Sequence, residues 1–364
     1  MARVLKQSAP KAFPASLLIA LAVGVAAFSS ARCTRGAPDE SAGRIHRCLA
    51  SPRGTYLALT VRRRVADRPV FDLYILATPE LHPVRDVPGN GWVRVCWDWQ
   101  ADDKGLLISQ WRIGEGQEQL AVLGLGGAGD RSYGWLPNWG IRGALALERG
   151  LLVLGSRTDV RLRRLFWIDT APGATPQEVG DDLWLPSSNA DPSQRQMTTY
   201  ALALQDSQYS EIVGLVMPSG ARSTVCGLPS GAGDLFVAPD GAKAAYFVYG
   251  DESSALQILQ LRPTVQSLRI LSDLHTGPRA SISWAPDSER LSWVTGEGAV
   301  ATMRLDSAGY QVNRLDCEGA PVKSLCWPHG FDTPLLLDDT SVWAEQEPGK
   351  ARRLWSVPKG EQVE

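Results

Sequence analysis

The stretch SISWAPDSERLSWVTGEG, residues 281–298, contains two alternating segments on either side of a turn. Ile282 and Trp284 alternate with serines before the turn, and Leu291 and Trp293 alternate with polar or small positions after it. A period of two is the pattern of a half-buried β-strand. The proline of the central Ala-Pro-Asp-Ser presets the backbone for a type I turn, and the aspartate can bond its own backbone. The stretch therefore predicts a strand, a tight turn and a second strand.

The same unit recurs along the chain at a spacing of roughly 42–49 residues, which is the range of repeat architectures. Residues 233–248 repeat it around a Val-Ala-Pro-Asp-Gly turn, and further copies have their turns near Pro52, Ala101 and Pro328. Extending the spacing places two weaker copies near residues 147 and 193. The chain therefore contains seven units, each with room for four short strands.

Four short strands in a repeat of about 40–45 residues are typical of a propeller blade. We therefore predict an all-β fold over residues 44–358: a seven-bladed β-propeller of four-stranded antiparallel blades. Six or eight blades are the alternatives, because the fourth unit is irregular. No helix longer than two turns is expected inside the propeller. Residues 32–43 are interpreted as a linker and residues 359–364 as a C-terminal tail.

Two of the turns carry a resemblance to a known family. The motifs Trp284-Ala285-Pro286-Asp287-Ser288 and Val237-Ala238-Pro239-Asp240-Gly241 resemble the TolB-type, WD-repeat-like propeller repeat. The resemblance covers roughly residues 44–358 and implies the propeller fold. The chain departs from full TolB because no α/β domain is expected before the propeller.

The first 31 residues have the composition of an export segment. A basic head with Arg3, Lys6 and Lys11 precedes an uncharged run over residues 12–31. That run ends in Ser-Ser-Ala, which fits a small-x-small cleavage site. The segment is either a cleaved signal peptide or an N-terminal membrane anchor. Both alternatives predict an extracytoplasmic protein of the periplasm or cell envelope, secreted or anchored.

Charge and cysteine content restrict the class of protein. The net charge is −2 at pH 7, so no general attraction to nucleic acid is expected. Six cysteines occur without a Cys-x-x-Cys pair, which leaves a zinc ribbon or a redox motif unsupported. Cys48 and Cys96 are interpreted as small buried hydrophobic residues. Cys326 is so interpreted too, with a disulfide to Cys317 as the alternative that export would permit.

No local catalytic motif is present: there is no His-Glu-x-x-His helix, no Gly-x-Ser-x-Gly turn and no phosphate loop. Asp102, Asp240 and Asp287 recur at one turn position, where a ring of carboxylates could bind a metal. Local hydrogen bonding within each turn is the favoured interpretation, so we expect no metal and no cofactor. Trp97 and Trp99 are assigned to one strand face, either packing between blades or gripping a ligand.

Two functions from different classes fit this pattern. The favoured one is an exported, non-catalytic interaction module, monomeric, that binds a protein partner through the loops of one face. The alternative is an extracytoplasmic hydrolase or lyase with a site assembled around the central channel. A channel lined by converging His, Asp, Glu or Tyr would favour the enzyme, whereas aliphatic and small residues would favour the module.

The loops after the second strand of every blade emerge on one face of a propeller, and the sign of their charge differs between blades one to three and blades four to seven. Arginines dominate these loops in blades one to three, while blades four to seven carry only acids there. The predicted contact residues are Arg62, Arg63, Arg64, Trp111, Arg112, Arg161, Arg163 and Arg164. The acids are Asp206, Asp251, Glu252, Glu297, Asp338 and Asp339. An acidic partner would dock over blades one to three around Trp111, and a solvated rim without a partner is the alternative.

Overall fold

The computed structural model describes residues 43–358, except 66–67, 89–90, 116, 158, 160–161, 172, 188–190, 196, 207 and 277–280. The predicted export segment, all but the last residue of the linker and the C-terminal tail therefore lie outside the described residues. Within the described ranges, no helix has the length and apolar character needed to span a membrane.

Seven four-stranded antiparallel sheets follow one another, and each is made of four strands consecutive in sequence. The strands of blades 1 to 3 are β1 (Arg44–Ala50), β2 (Tyr56–Val65), β3 (Arg68–Ala77), β4 (His82–Val87), β5 (Trp92–Trp99), β6 (Gly105–Arg112), β7 (Gln119–Gly124), β8 (Arg131–Tyr133), β9 (Gly140–Leu147), β10 (Gly150–Arg157), β11 (Leu162–Asp169) and β12 (Gln177–Asp181).

Blades 4 to 7 complete the ring. Their strands are β13 (Leu183–Trp184), β14 (Thr198–Gln205), β15 (Gln208–Val216), β16 (Ala221–Gly227), β17 (Phe236–Val237), β18 (Lys243–Tyr249), β19 (Ser254–Gln260), β20 (Gln266–Leu274), β21 (Ile282–Trp284), β22 (Arg290–Val294), β23 (Val300–Arg304), β24 (Tyr310–Asn313), β25 (Ser324–Cys326), β26 (Leu335–Leu337), β27 (Ser341–Glu347) and β28 (Lys350–Ser356). In the described part of the chain, helical structure is confined to one 3₁₀ turn, Pro192–Gln194. The predicted seven-bladed propeller is therefore confirmed.

The turns between first and second strands have the predicted chemistry. Gly241 and Ser288 have positive φ at the last turn position, and their N–H groups donate to the carbonyls of Ala238 and Ala285, both at 2.9 Å. Asp287 Oδ1 accepts the N–H of Glu289 at 2.8 Å. Asp240 and Asp102 accept equivalent N–H groups two residues on. The recurring aspartates therefore hold their own turns, as the favoured interpretation stated.

The apolar core is divided among the joints between blades. Seven clusters of buried side chains occur, and each is built from two neighbouring blades. Tryptophans supply the largest of these side chains, because Trp99, Trp293 and Trp343 are each 2% exposed or less. A blade buried on both faces contributes apolar residues to two clusters. Stability therefore depends on every joint of the ring.

Blades 7 and 1 join without exchanging a strand. Their shared cluster brings Leu57 and Leu59 of blade 1 against Leu335 and Trp355 of blade 7. One backbone hydrogen bond also crosses the joint, from Ile45 N to the Asp339 carbonyl at 2.6 Å. This joint is therefore built like the six others, from side-chain packing between complete sheets.

The turn of blade 1 fits closely against blade 7, which leads to a testable prediction. Gly54 has φ 73°, and a Cβ placed there would lie 2.5 Å from the His329 carbonyl oxygen. Gly330 occupies the equivalent turn position in blade 7 with φ 84°, but a Cβ there meets nothing within 4 Å. Gly54→Ala is expected to destabilise the protein by about 1 kcal/mol more than Gly330→Ala, because both carry the backbone strain and only one carries the clash.

Urea unfolding of the two alanine variants beside the unmodified protein measures this difference. Equal losses of stability in both variants would show that the joint relaxes around the added methyl group.

One prediction about side-chain positions was wrong. Trp97 and Trp99 do not share a face, because a β-bulge between Cys96 and Asp98 shifts the alternation at Trp97. Trp99 packs between blades 1 and 2, whereas Trp97 packs against the cluster between blades 2 and 3. The packing interpretation is confirmed for Trp99, which is 2% exposed.

The alternative of a Cys317–Cys326 disulfide is also not observed, because both are free thiols. Cys317 lies in the cluster shared with blade 6 and Cys326 in the cluster shared with blade 1. Burial raises the pKa of Cys317 to about 11, as expected for a buried thiol.

Candidate functional site: the central channel

The first strand of each blade lines a central channel with a cavity of about 940 Å³. This volume is at the upper end of the range for pockets that hold a drug-sized ligand. The lining includes charged and aromatic side chains that are concentrated on blades 1 to 5. It therefore includes His, Asp and Tyr side chains, which are expected of an enzyme site, and differs from the aliphatic lining expected of an interaction module.

Three consecutive first strands carry a β-bulge, and each bulge adds one residue to the channel wall. The register shifts at His46 in β1, at Trp97 in β5 and at Arg142 in β9. All three residues line the cavity. A bulge re-aims a side chain that regular alternation would direct elsewhere, and bulges are common beside functional sites. The alternation visible in the sequence carries no signal for these positions.

Arg47 lies beside the bulged residues and holds a charge that is poorly compensated. Its guanidinium carbon is 4.7 Å from the centroid of the Trp97 ring, in a cation–π contact. Burial lowers the pKa of Arg47, and the charges of Cys96 and Asp98 oppose that effect. Among the described side chains, no carboxylate lies within ion-pair distance of it. The positive charge therefore rests on a ring face and on longer-range attraction.

Asp98 of blade 2 is engaged by an arginine of blade 4, two blades further along the ring. Arg195 Nη1 and Nη2 donate to its two carboxylate oxygens at 2.5 and 3.0 Å. Arg195 Nη1 also donates to the Ala146 carbonyl at 3.0 Å, and the Ala146 N–H donates to Asp98 Oδ2 at 2.8 Å. The side chains of Arg195 and Asp98 are only 3% and 14% exposed. This buried pair ties blade 4 to blades 2 and 3.

Arg195 belongs to the loop between β13 and β14, residues 185–197, which we name the blade-4 loop. The Asp191 N–H of this loop donates to the carbonyl of Pro239 in blade 5 at 2.9 Å. The loop thus connects blade 5 to blades 2 and 3 at the channel end where the first strands finish. The opposite end, where first strands begin, lies on the face of the predicted arginine loops.

A second carboxylate of the lining, Asp234, is on the blade 4 and blade 5 side. The Tyr209 hydroxyl donates to Asp234 Oδ1 and the Ser187 hydroxyl to Oδ2, both at 2.8 Å. Burial and the Asp234 charge raise the pKa of Tyr209 above its ordinary value. The lining therefore carries Arg47 and Arg142 on blades 1 and 3, the Asp98–Arg195 pair between blades 2 and 4, and Asp234 on blade 5.

The acids and the histidine of the lining are held by neighbouring groups. Asp98 and Asp234 already accept hydrogen bonds, and the pKa of His46 is lowered by burial and by the charges of Arg47 and Arg62. The His46 ring packs edge-on against Phe71, with centroids 5.5 Å apart. Among the described side chains, no cluster of three His, Cys, Asp or Glu is suited to hold a metal ion.

The structure divides the predicted contact residues of blade 1. Arg62 is exposed and lies opposite Arg44 in the register of β1 and β2. Arg64 is also exposed. Arg63 is largely buried, with Nε 2.7 Å from the carboxylate of Asp72 and a hydrogen bond to Tyr74. Arg63 therefore serves the blade itself, and Arg62 is available at the rim.

In blade 2, Trp111 is half-buried and Arg112 is exposed. Arg112 Nη1 lies 3.2 Å from Glu115 Oε1, and its guanidinium carbon lies 5.7 Å from the Trp92 ring centroid. Arg94 contacts the same Trp92 ring at 5.5 Å. This blade offers two aromatic side chains beside partly neutralised arginines.

In blade 3, Arg163 is exposed and its guanidinium carbon lies 4.9 Å over the ring of Trp184, which lines the channel. Arg164 forms an ion pair with Glu178. Arg161 lies outside the described residues. Arg163 therefore connects the predicted face to the channel wall.

The acidic half of the face is weaker than its sequence suggests. Asp338 is 8% exposed and accepts hydrogen bonds from the N–H of Ser341 and from Trp343 Nε1, at 2.7 and 2.8 Å. Asp339 is paired with Lys323. Asp338 is thus a buried structural acceptor and does not contribute a surface charge.

Comparison with solved structures shows the same fold in several proteins of low sequence identity. The Cps50 (Swd1) β-propeller domain of Myceliophteria thermophila matches with a TM-score of 0.58 and 10% identity, covering 86% of this chain and 96% of that domain. The acylaminoacyl peptidase of Pyrococcus horikoshii matches with a TM-score of 0.59 and 12% identity, covering 87% of this chain and 54% of that one. TolB from Acinetobacter baumannii matches with a TM-score of 0.48 and 15% identity, covering 76% and 67%.

No family model and no curated protein matches the chain. The comparisons therefore confirm a β-propeller repeat fold, and a TolB-type or WD-repeat-like family stays a prediction.

Proposed function

We propose that the protein is an exported, non-catalytic β-propeller module that binds an acidic protein partner. The partner docks on the face where the second strands of blades 1 to 3 end and the third strands begin; Arg62 and Arg112 lie in β2 and β6, and Arg163 lies in β11. The observation that carries the proposal is the position of Arg62 and Arg163. Both are exposed, both lie without an acidic ion-pair partner among the described side chains, and both adjoin the channel wall through His46 and Trp184.

Electrostatics and aromatic packing support this surface as a docking site. Complementary charge accelerates association and selects partners, and at physiological salt it acts over roughly 8 Å. Trp111 and Trp92 provide large apolar surfaces beside Arg112, and interface hot spots are enriched in tryptophan and arginine. The partner would therefore be steered by the arginines and anchored on the rings of blade 2.

The proposal is tested by changing Arg62 and Arg163 together to serine. Arg149→Ser is the matched control, because Arg149 is exposed in the turn between the first and second strands of blade 3, on the opposite face. Photo-crosslinking from the exposed position 64 in the native cell should capture a partner that the double variant binds about tenfold more weakly, with the difference shrinking as salt rises.

Unchanged capture and unchanged salt dependence in the double variant would show that this face is not the site. The export component rests on residues 1–31 of the sequence. Recovery of the full-length protein in the cytosol after cell fractionation would contradict it.

A further inference from the structure

We propose that the channel between Arg47 and Arg142 is a carboxylate-binding site that receives an extended acidic segment of the partner. The inference rests on the proposed function and adds the chemistry that the channel recognises. It names a site inside the ring, whereas the proposed function concerns the face around it.

The first support is the departure of blades 1 to 3 from regular strand geometry. The bulges of β1, β5 and β9 place His46, Trp97 and Arg142 on the channel wall in three neighbouring blades. Each bulge leaves one residue unpaired in the strand ladder and turns its side chain away from the regular alternation. The three bulges supply a titratable group (His46), an aromatic ring (Trp97) and a cation (Arg142) to the lining of the cavity.

The second support is the state of the two arginines. Arg47 is half-buried against Trp97 and has no hydrogen-bonded carboxylate among the described side chains. Arg142 is exposed within the channel and likewise forms no ion pair in the described structure. A partly desolvated guanidinium gains most from a charge-assisted, bidentate hydrogen bond, which a carboxylate supplies.

The nearby carboxylates of the protein are already engaged in holding β9. Asp98 accepts the Ala146 N–H at 2.8 Å, and Glu118 accepts the Ile141 N–H at 2.6 Å. Burial raises the pKa of Glu118, and the charge of Arg142 only partly offsets that rise. Both acids are therefore committed to backbone N–H groups of β9, and among the described side chains neither forms an ion pair with Arg47 or Arg142.

The direction of access agrees with the docking face. Asp191 and Arg195 contact blade 5 and blades 2 and 3 at the channel end where the first strands finish, and the proposed entrance is the end where those strands begin. Arg62 and Arg163 lie at that end, beside the residues that line the channel. A cavity of about 940 Å³ has room for several residues of an extended peptide. The carboxylate could come from a peptide or from a small free acid, and the experiment separates these sources.

Binding is measured at low salt by the change in tryptophan fluorescence, because Trp97 lies in the site. The probes are a hexaglutamate peptide, the corresponding hexaglutamine peptide and citrate. The protein variants are Arg142→Gln, Arg47→Gln and the control Arg149→Gln. Hexaglutamate is expected to bind the unmodified protein and the control equally, and each channel variant about tenfold or more weakly. Hexaglutamine is expected not to bind.

Binding of citrate alone, with the same loss in the channel variants, would keep the carboxylate site but identify a small acid as its ligand and overturn the peptide segment. No binding of either acid, or equal binding by Arg142→Gln and the control, would overturn the site. The Arg142 side chain makes no described hydrogen bond, so Arg142→Gln is expected to fold. Its hexaglutamate affinity therefore tests the channel site even if Arg47→Gln does not fold. The two proposals can fail independently of each other. If partner capture depends on Arg62 and Arg163 but hexaglutamate binding is unchanged in Arg142→Gln, only the channel site is overturned. The opposite pair of results overturns only the docking face.

Discussion

Replacing Arg195 with alanine is expected to destabilise the protein by about 3–5 kcal/mol, because it leaves the Asp98 carboxylate buried without its cation. Arg195 is 3% exposed and makes three hydrogen bonds, two to Asp98 and one to the Ala146 carbonyl. The pair also joins blade 4 to blades 2 and 3. Its loss should therefore loosen three blades together, and urea unfolding measures the effect.

A double variant distinguishes the cost of an unpaired charge from the value of the pair itself. Arg195→Met combined with Asp98→Leu removes both charges, and it should recover part of the stability lost in Arg195→Ala; the recovery is incomplete because the buried Ala146 N–H and carbonyl lose their side-chain partners. Arg314→Ala is the matched control, since the Arg314 side chain is 78% exposed in its pair with Glu297. Its effect should stay within about 0.5 kcal/mol. A comparable loss in the control would refute the assignment of the Arg195 effect to burial.

Trp343→Ala is expected to cost about 3–5 kcal/mol, by opening a cavity in the joint between blades 6 and 7. Trp343 is 2% exposed and packs with Leu336, Val300 and Cys317. Its Nε1 also donates to the buried Asp338 carboxylate at 2.8 Å. The substitution therefore removes both apolar volume and one donor to a charged group.

Trp343→Phe separates these two contributions. Phenylalanine keeps most of the volume and loses the donor, so we expect a smaller cost of about 1–3 kcal/mol. Val312→Ala on the outer strand β24 is the control, because Val312 is 50% exposed. Equal costs for alanine and phenylalanine at position 343 in urea unfolding would mean that the hydrogen bond, not the volume, dominates.

The blade repeat could be predicted because its signals are local. A proline, an aspartate and a residue that tolerates positive φ stand within four positions in the turn at Pro286, and the flanking alternation is regular. Each blade repeats these short-range constraints, so even the irregular fourth unit could be placed by spacing. The fold could therefore be predicted from repeated copies of one strand–turn–strand pattern.

The channel could not be predicted in the same way, because its contacts are not local. Asp98 and Arg195 meet although they are 97 positions apart. The bulges at His46, Trp97 and Arg142 break the alternation on which the sequence interpretation depends. The exposure of the surface charges could be predicted only in part. Arg62 is exposed. Arg63 is instead paired with Asp72, and Asp338 accepts a hydrogen bond from Trp343 inside its blade, and these partners cannot be read from the local sequence pattern.

Because the joint between blades 7 and 1 is built like the others, any blade could stand first in the chain. No blade borrows a strand from another, and a Cβ on Gly43 would lie 3.0 Å from Val357 Cγ1, so the two ends of the described propeller are side by side. A short peptide could connect them, and the chain could then be opened in a connection between any other two blades. Such circularly permuted proteins should fold to the same ring, because each sheet would still form from four consecutive strands.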